Sequence, residues 1–278
     1  MARYSSRYGT HSFPGAFDNS REQSGEHAFP RGVYNSRDEF FKDIAAAYRH
    51  ELAALYAVGC RNVQIDGPIL TFLCDATVYK EFQDHGEDVD ALLESYIRLY
   101  NDSIKERPKD MIVSFHLCRG NWRSHHFVSG GYDTIAKKLF SDLNVDCFYL
   151  EYDTSRAGAY SRFCLLSSPA FTLLMQLLAG TFEPLKYLSK NKSVVLGLIT
   201  SKFPELEDKE KLAKQVFEAA WNMASGAGES VQEALQRISI SPQCGFASSD
   251  EGNLLTAADM KRKLEFVRDF AASIWADA

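Results

Sequence analysis

The chain has 278 residues, which is enough for one large domain or two small ones with a sizeable hydrophobic core. Hydrophobic residues make up 45% of it and charged residues 24%, proportions that are ordinary for a globular protein. The formal net charge of −6 argues against nucleic acid or an anionic membrane as a partner, because both call for a basic surface. This composition suits an enzyme that acts on small molecules.

The N-terminal residues 1–35 are polar, rich in Ser, Arg, Gly and Tyr, and carry no apolar segment typical of a secretory signal. We interpret them as a loosely ordered lead-in to a domain over residues 36–278. Without a secretory signal, the six cysteines are expected to be reduced thiols or metal ligands rather than a disulfide framework. We therefore expect a cytoplasmic protein.

From Asp38 onward the hydrophobic pattern alternates between helix-like and strand-like periods. A helix with apolar residues every three or four positions ends at Gly59, and a strand-like stretch then ends on Asp66. Further strands are predicted at 111–118, 145–152, 193–200 and 238–241, and helices at 88–106, 132–143, 185–190, 209–224, 229–236 and 256–276. Strands that alternate with helices of this length predict a parallel sheet covered by helices.

Two architectures fit this α/β pattern, an open doubly wound sheet and a closed (β/α)8 TIM-type barrel. The predicted strands end in or near polar, chemically capable residues, which is where barrels assemble their active sites. An open sheet usually carries a glycine-rich phosphate loop, and neither G-x-G-x-x-G nor a P-loop occurs in this sequence. The pattern therefore favours a barrel. Five strands are clear and a sixth is indicated near His11–Phe17, where eight are required.

Residues 159–180 interrupt the alternation, because Arg162 is the only charged residue of an apolar run that contains Pro169. A transmembrane helix is not favoured, since the run is short and interrupted by proline. Two interpretations stay open. The segment is either an inserted hydrophobic hairpin or helix, or a translated intron whose removal joins the flanking sequences directly.

Four residues at strand ends have the chemistry of a zinc site. Successive side chains of a strand alternate between its faces, so His116 and Cys118 can approach one ion together. Glu151 ends another predicted strand, and Cys244 follows the last one. One nitrogen, two sulfurs and one carboxylate oxygen form a tetrahedral set that favours Zn²⁺ over magnesium or calcium. Each residue alone is more often structural, so this hypothesis depends on their convergence.

The stretches NVQIDGPIL, SFHLCRGN, VDCFYLEYD and ISPQCGFAS resemble the C-terminal zinc barrel of the cobalamin-independent methionine synthases. The likeness is greatest to short, single-barrel relatives of these synthases, and it extends from Glu39 to the C-terminus apart from 159–180. Sequences of the G-S-x-P and G-E-x-x-R kind, which end the first strands in that family, have no counterpart in this chain. The resemblance therefore implies an incomplete barrel in which the first two or three βα units are absent.

The resemblance also implies roles for individual residues. The four strand-end residues would bind zinc, with Glu151 as the ligand that yields to a substrate thiol, and Asp66 would hold the amino group of a homocysteine-like substrate. Asp153 is expected to support the site or to bind substrate. At 200–202 this chain has TSK where full-length synthases carry an H-S-P-like segment that serves the folate leaving group. The methyl donor is therefore left open between a folate and a corrinoid.

Three functions follow from these observations. A zinc-dependent methyltransferase acting on a small-molecule thiol such as homocysteine is favoured. The alternatives are a catalytically inactive zinc-binding remnant and a decarboxylase of the uroporphyrinogen type, against which the thiolate ligands argue because that chemistry proceeds without metal. An incomplete barrel would expose strand edges, so we also expect self-association or marginal stability.

Overall fold

The computed structural model describes residues 10–12, 32–153 and 182–275, in which strands and helices alternate along the chain. The strands are β1 (Thr10–Ser12), β2 (Asn62–Asp66), β3 (Ile112–Leu117), β4 (Cys147–Glu151), β5 (Ser193–Ile199) and β6 (Ile238–Pro242). The helices are α1 (Arg37–Ala57), α2 (Ile69–Phe72), α3 (Ala76–Asp84), α4 (Val89–Ile104), α5 (Ala136–Asp142), α6 (Lys209–Ala227), α7 (Val231–Leu235) and α8 (Ala257–Ile274), with a 3₁₀ helix at Glu183–Tyr187. The predicted α/β class is confirmed.

The described strands form one parallel sheet in the order β1-β2-β3-β4-β5-β6, so neighbours in the sheet are also neighbours in sequence. A doubly wound sheet reverses its strand order at a switch point, and the strands described here show no such reversal. Sequential order is the arrangement of a (β/α) barrel. Closure with eight strands stays a prediction.

The central strands are buried on both faces. In β3, β4 and β5 nearly every residue is buried, and Phe115, Phe148 and Leu196 are each 0% exposed. Such near-continuous apolar strands are typical of parallel sheets covered by helices. Helix α1 packs against α4, where the rings of Phe41 and Tyr96 lie 5.3 Å apart. The core therefore holds the carboxyl ends of the strands in fixed positions.

The predicted elements agree with the structure except in four places. The short helix α2 was not predicted. Helix α3 was not predicted either, although Asp75 caps it by accepting from the main-chain N–H groups of Thr77 and Val78. The helix predicted at 132–143 is shorter in the structure, where it extends over Ala136–Asp142. The helix predicted at 185–190 is a 3₁₀ helix that begins two residues earlier, with a proline in its first turn.

Two sequence predictions fall largely or wholly outside the described residues. These are the loosely ordered lead-in over 1–35 and the apolar insert at 159–180. Within the lead-in, β1 pairs in parallel with β2, and its position overlaps the start of the sixth strand indicated near His11–Phe17. None of the described helices combines the length and the apolar character needed to cross a membrane.

Candidate metal centre

Four side chains from three strand ends converge at the carboxyl edge of the sheet. His116 lies in β3 and Cys118 directly follows that strand, Glu151 ends β4, and Cys244 comes two residues after β6. One ligand atom from each of the four lies within 4.8 Å of all the others. The two sulfurs are 3.7 Å apart, and His116 Nε2 lies 3.6 Å from Glu151 Oε1. The four residues predicted to share one ion are thus brought together.

These donors fit zinc in type and in spacing. In a tetrahedral site the distance between ligand atoms is about 1.6 times the metal–ligand bond, which gives about 3.8 Å for two sulfurs bound at ~2.3 Å. The observed separation of the two sulfurs is 3.7 Å. For nitrogen and oxygen bound at ~2.1 Å the same geometry gives about 3.4 Å. The observed separation of Nε2 and Oε1 is 3.6 Å, so small side-chain adjustments would allow all four to hold one ion.

The ring of His116 is held on both sides. Its Nδ1 lies 3.1 Å from Asp66 Oδ1, and its Nε2 lies 3.1 Å from the main-chain oxygen of Gln243. Burial lowers the pKa of His116, but hydrogen bonding to Asp66 and Glu151 outweighs burial and raises that pKa well above its ordinary value of 6.5. A carboxylate on the Nδ1 side leaves Nε2 as the ligand atom, the arrangement found in carboxylate–histidine–zinc sites.

Cys118 and Cys244 share a proton in the metal-free protein. The hydrogen bond from Cys118 lowers the pKa of Cys244 from 9.0 to about 7. The same hydrogen bond, together with burial, raises the pKa of Cys118 well above 9.0. After one of the two thiols has lost its proton, the other keeps its own, because two thiolates at this distance would repel each other. A divalent cation would remove that repulsion, so the pair is suited to binding a metal ion.

Glu151 is buried with 0% exposure, and its neighbours hold both its carboxylate and its backbone. The main-chain N–H of Arg119 donates to Glu151 Oε1 at 3.0 Å. The hydroxyl oxygen of Tyr132 accepts from the main-chain N–H of Glu151 at 2.9 Å. Burial of a carboxylate is unfavourable unless a cation or several donors compensate for it. A metal ion between Glu151, His116 and the two thiols would provide that compensation.

A buried polar network joins the loops that carry the two cysteines. The ammonium group of Lys202 is 1% exposed and donates to Asn121 Oδ1 at 2.8 Å. It also donates to the main-chain oxygens of Gly120 and His125, each at 3.0 Å. Asn121 Nδ2 in turn donates to the main-chain oxygen of Gly245, the residue after the second cysteine, at 2.6 Å. The loops after β3, β5 and β6 are therefore fixed relative to one another.

The two aspartates predicted to bind substrate also lie at this edge of the sheet. Asp66 ends β2 beside His116, and its side chain is 23% exposed. Asp153 is partly buried and lies two residues beyond Glu151. Their roles toward substrate stay predictions. The contact of Asp66 with His116 is an additional role that the sequence interpretation did not assign.

Most of the supporting residues were missed at the level of sequence. Arg119 and Asn121 stand inside the motif SFHLCRGN and were visible there, but no role was assigned to them. Lys202 was noted only as a departure from the H-S-P-like segment. Gln243 stands inside the stretch ISPQCGFAS, where no role was assigned to it. Tyr132 carried no local signal, because its contact with Glu151 depends on how separate parts of the chain meet.

Fold and site together define the chain as a parallel α/β protein with a candidate His-Cys-Glu-Cys metal site. No family model matches its sequence. It is 35% identical over 240 residues to the protein YxjH of Bacillus subtilis and 34% identical over 237 residues to YxjG, both described as uncharacterized. These matches cover 86% and 85% of this chain but 55% and 54% of the relatives. The chain thus spans about half the length of the curated relatives it matches.

Solved structures with a similar fold include B12-independent methionine synthases. One, from Listeria monocytogenes and provisionally designated as such, has a TM-score of 0.57 and 24% identity, covering 96% of this chain and 64% of its own. Another, from Shewanella sp. W3-18-1 in complex with selenomethionine, has a TM-score of 0.54 and 18% identity, covering 87% of this chain and 56% of its own. At these identities the likeness shows a shared fold with proteins of the B12-independent methionine synthase type.

Proposed function

We propose that this chain is a zinc-dependent methyltransferase of the B12-independent methionine synthase type, which transfers a methyl group to a small thiol such as homocysteine. The proposal rests on the convergence of four ligand atoms within 4.8 Å, from His116, Cys118, Glu151 and Cys244. The shared fold with B12-independent methionine synthases supports the same class of chemistry. An incomplete (β/α) barrel is the scaffold that we propose for the site.

Zinc held by these residues would supply a Lewis acid that lets a substrate thiol, whose ordinary pKa is ~8.5, lose its proton near neutral pH. Cys118 and Cys244 contribute two negative charges, which keep an incoming sulfur electron-rich and nucleophilic. Asp66 Oδ1 lies 3.1 Å from His116 Nδ1, and a carboxylate on that side of the ring favours Nε2 as the ligand atom. Glu151 provides an oxygen ligand, which is the donor of this set best able to give way to a third sulfur.

The two aspartates would position the substrate. Asp66 is 23% exposed at its side chain, so its carboxylate can contact His116 and still accept from the ammonium group of an amino-acid thiol. Asp153 follows β4 at the same edge, where we propose that it supports the substrate from the other side of Glu151. A carboxylate on the substrate ammonium fixes the thiol relative to the methyl donor, which is the positioning that methyl transfer needs.

Lys202 bears on the choice of methyl donor. It stands in the segment where full-length synthases have a histidine that serves the folate leaving group, but its ammonium is buried and donates to three oxygens of the loop after β3. A lysine held in this way ties two loops together rather than delivering a proton. This favours a donor whose leaving group departs without a proton, as a methylated corrinoid does, over methyltetrahydrofolate.

Metal analysis of the purified full chain tests the proposal first. We expect about one zinc per chain, lost in both Cys118→Ser and Cys244→Ser because each removes a ligand from a tetrahedral site. Cys147→Ser is the matched control, since Cys147 is a buried cysteine at the start of β4 and outside the set of four. Folded wild-type protein without affinity for zinc would overturn the proposal.

Methyl transfer is then measured with homocysteine as acceptor and with methylcobalamin or methyltetrahydrofolate as donor. Formation of methionine by wild-type protein but not by Cys244→Ser supports the methyltransferase. Retention of zinc without methyl transfer from either donor would instead support the catalytically inactive zinc-binding protein.

A further inference from the structure

Arg119 is a buried cation beside the metal centre. Its side chain is 0% exposed, and none of its guanidinium nitrogens Nε, Nη1 and Nη2 has a hydrogen-bond partner among the described residues. The guanidinium lies 4.5 Å from the centre of the Tyr132 ring, a contact that compensates only in part for lost hydration. Buried polar groups in native proteins are almost always hydrogen-bonded. A guanidinium without such a bond is therefore expected to gain a partner when a ligand binds.

The carboxylate of Glu151 is placed to be that partner. Its Oε1 accepts from the main-chain N–H of Arg119 itself at 3.0 Å, so the carboxylate lies at the base of the Arg119 side chain. Tyr132 contacts both residues, because its ring faces the guanidinium and its hydroxyl oxygen accepts from the main-chain N–H of Glu151. Burial lowers the pKa of Arg119, but the nearby Tyr132, Cys74 and Glu151 outweigh burial and raise that pKa above its ordinary value.

We propose that Arg119 is a positioning residue that receives the Glu151 carboxylate when a substrate thiol takes the place of Glu151 on the metal. The proposal rests on the proposed function, since it requires both a metal at the site and a thiol that binds it. With a metal held by the four residues, the Glu151 oxygen would leave the ion, the substrate sulfur would take its place, and the thiol proton would pass to solvent.

The exchange would stabilise both the Glu151 carboxylate and the Arg119 guanidinium. A carboxylate that left the metal would lose the charge compensation that the ion supplies, and the guanidinium nitrogens have no hydrogen-bond partner among the described residues. Paired, Arg119 and Glu151 form charge-assisted hydrogen bonds, and the planar guanidinium can bind both carboxylate oxygens at once. The movement that we propose is a rotation of side chains between staggered rotamers, since the carboxylate already contacts the Arg119 backbone.

The unfolding temperature of the metal-free protein distinguishes a positioning role of Arg119 from a purely structural one. Because the guanidinium has no hydrogen bond to lose in the described structure, Arg119→Met in the metal-free full chain should unfold at the same temperature as wild type or at a higher one. Lys192→Met is the matched control. Lys192 is a buried cation at the opposite end of the strands, donating to the main-chain oxygens of Phe140 and Leu143 at 2.7 and 2.8 Å, so this variant should unfold at a lower temperature. A clear loss of stability in Arg119→Met would overturn the proposal.

Thiol binding gives the second readout. Cobalt(II) replaces zinc in the full chain, and the sulfur-to-cobalt charge-transfer absorption reports a third sulfur at the metal. We expect Arg119→Met to bind cobalt with its original spectrum, yet to bind homocysteine and mercaptoethanol at least about tenfold more weakly than wild type. Arg119→Lys should recover part of the affinity through its charge, and Lys192→Met should behave like wild type.

The two thiols distinguish the outcomes. Mercaptoethanol has no carboxylate, so weakening of both thiols places the effect at Glu151. Weakening of homocysteine alone would mean that Arg119 binds the substrate carboxylate, and unchanged binding of both would mean that Arg119 takes no part in the exchange. Either result overturns the proposal. If wild-type protein itself gains no third sulfur with either thiol, the proposed function fails as well, which is distinguishable from failure of the Arg119 role alone.

Discussion

Cys118 and Cys244 have their sulfur atoms 3.7 Å apart although 126 positions separate them in the chain. The two residues follow β3 and β6, which have β4 and β5 between them in the sheet. In a flat sheet, three strand spacings of about 4.8 Å would hold them ~14 Å apart. The sheet must therefore curve strongly and bring its carboxyl ends around a common axis. Curvature of this kind fits a (β/α)-barrel scaffold for the site.

The first prediction concerns the carboxylate behind the histidine. Asp66→Ala removes the group that lies 3.1 Å from His116 Nδ1, so the ring loses its orientation and part of its basicity. We expect zinc affinity to fall about 10- to 100-fold, measured by competition with a chromophoric chelator. Asp88→Ala is the control, because Asp88 caps α4 and should affect stability only. Equal zinc affinity in Asp66→Ala and wild type would contradict this role.

The reactivity of Cys244 in the metal-free protein should follow pH. Its pKa is lowered to about 7 by the hydrogen bond from Cys118, and the thiolate is the form that reacts with iodoacetamide. Alkylation of Cys244, followed by peptide mass spectrometry, should therefore increase as pH rises through about 7. In Cys118→Ala the hydrogen bond is lost, and the profile should move toward higher pH. Zinc should protect the residue in wild-type protein, and an unchanged profile in the variant would refute the shared proton.

Gly197 allows β6 to approach β5 closely enough to place the second cysteine. A Cβ at this position would lie 2.7 Å from Gln243 Cα and 3.1 Å from the main-chain oxygen of Leu150. Gly197→Ala should therefore displace the backbone before Cys244, weakening zinc binding and destabilising the fold by about 1–3 kcal/mol. Gly228→Ala, at a left-handed helix end with open space around it, should cost about 1 kcal/mol and leave zinc binding intact. Denaturant unfolding and chelator competition measure the two effects.

Local pattern was sufficient to predict most of the fold. The strand that ends on Asp66 and the strands β3 to β6 were predicted within a few residues, because buried parallel strands form short apolar runs flanked by helical periods. Helix α3 was missed because none of its residues is fully buried, so core packing left little trace in its sequence. Asp75, which caps this helix, could have indicated where it begins, because aspartate is a preferred residue at helix N-termini.

The candidate site was only partly accessible from sequence. Alternation along β3 places His116 and Cys118 on one face, but no local rule joins them to Cys244, because that contact depends on the curvature of the whole sheet. The family resemblance supplied the missing link. Arg119 and Lys202 could not be assigned, since charged residues are ordinarily solvated and only the packed structure shows them fully buried.

The last prediction concerns Lys202, whose ammonium ties the loop after β5 to the loop after β3. Lys202→Met removes a buried donor from Asn121 Oδ1 and from the main-chain oxygens of Gly120 and His125. Asn121 Oδ1 keeps the hydrogen bond from Asn253 Nδ2, and the His125 oxygen keeps that from the main-chain N–H of Trp122, so the loss falls mainly on the Gly120 oxygen. We expect the metal-free variant to lose about 1–3 kcal/mol of unfolding free energy. Zinc affinity should fall as well, because Asn121 also bonds the main-chain oxygen of Gly245 beside the second cysteine.

Lys192→Met is the control that separates an effect on zinc binding from a general loss of stability. It removes a buried ammonium with main-chain oxygen partners of the same kind, but at the amino end of β5, away from the metal centre. Both variants should therefore unfold more easily in denaturant, while only Lys202→Met should release zinc more readily to a chelator. If the two variants retain zinc equally well, the network stabilises the fold without setting the spacing of the cysteines, and the distance between them is instead fixed by the strands themselves.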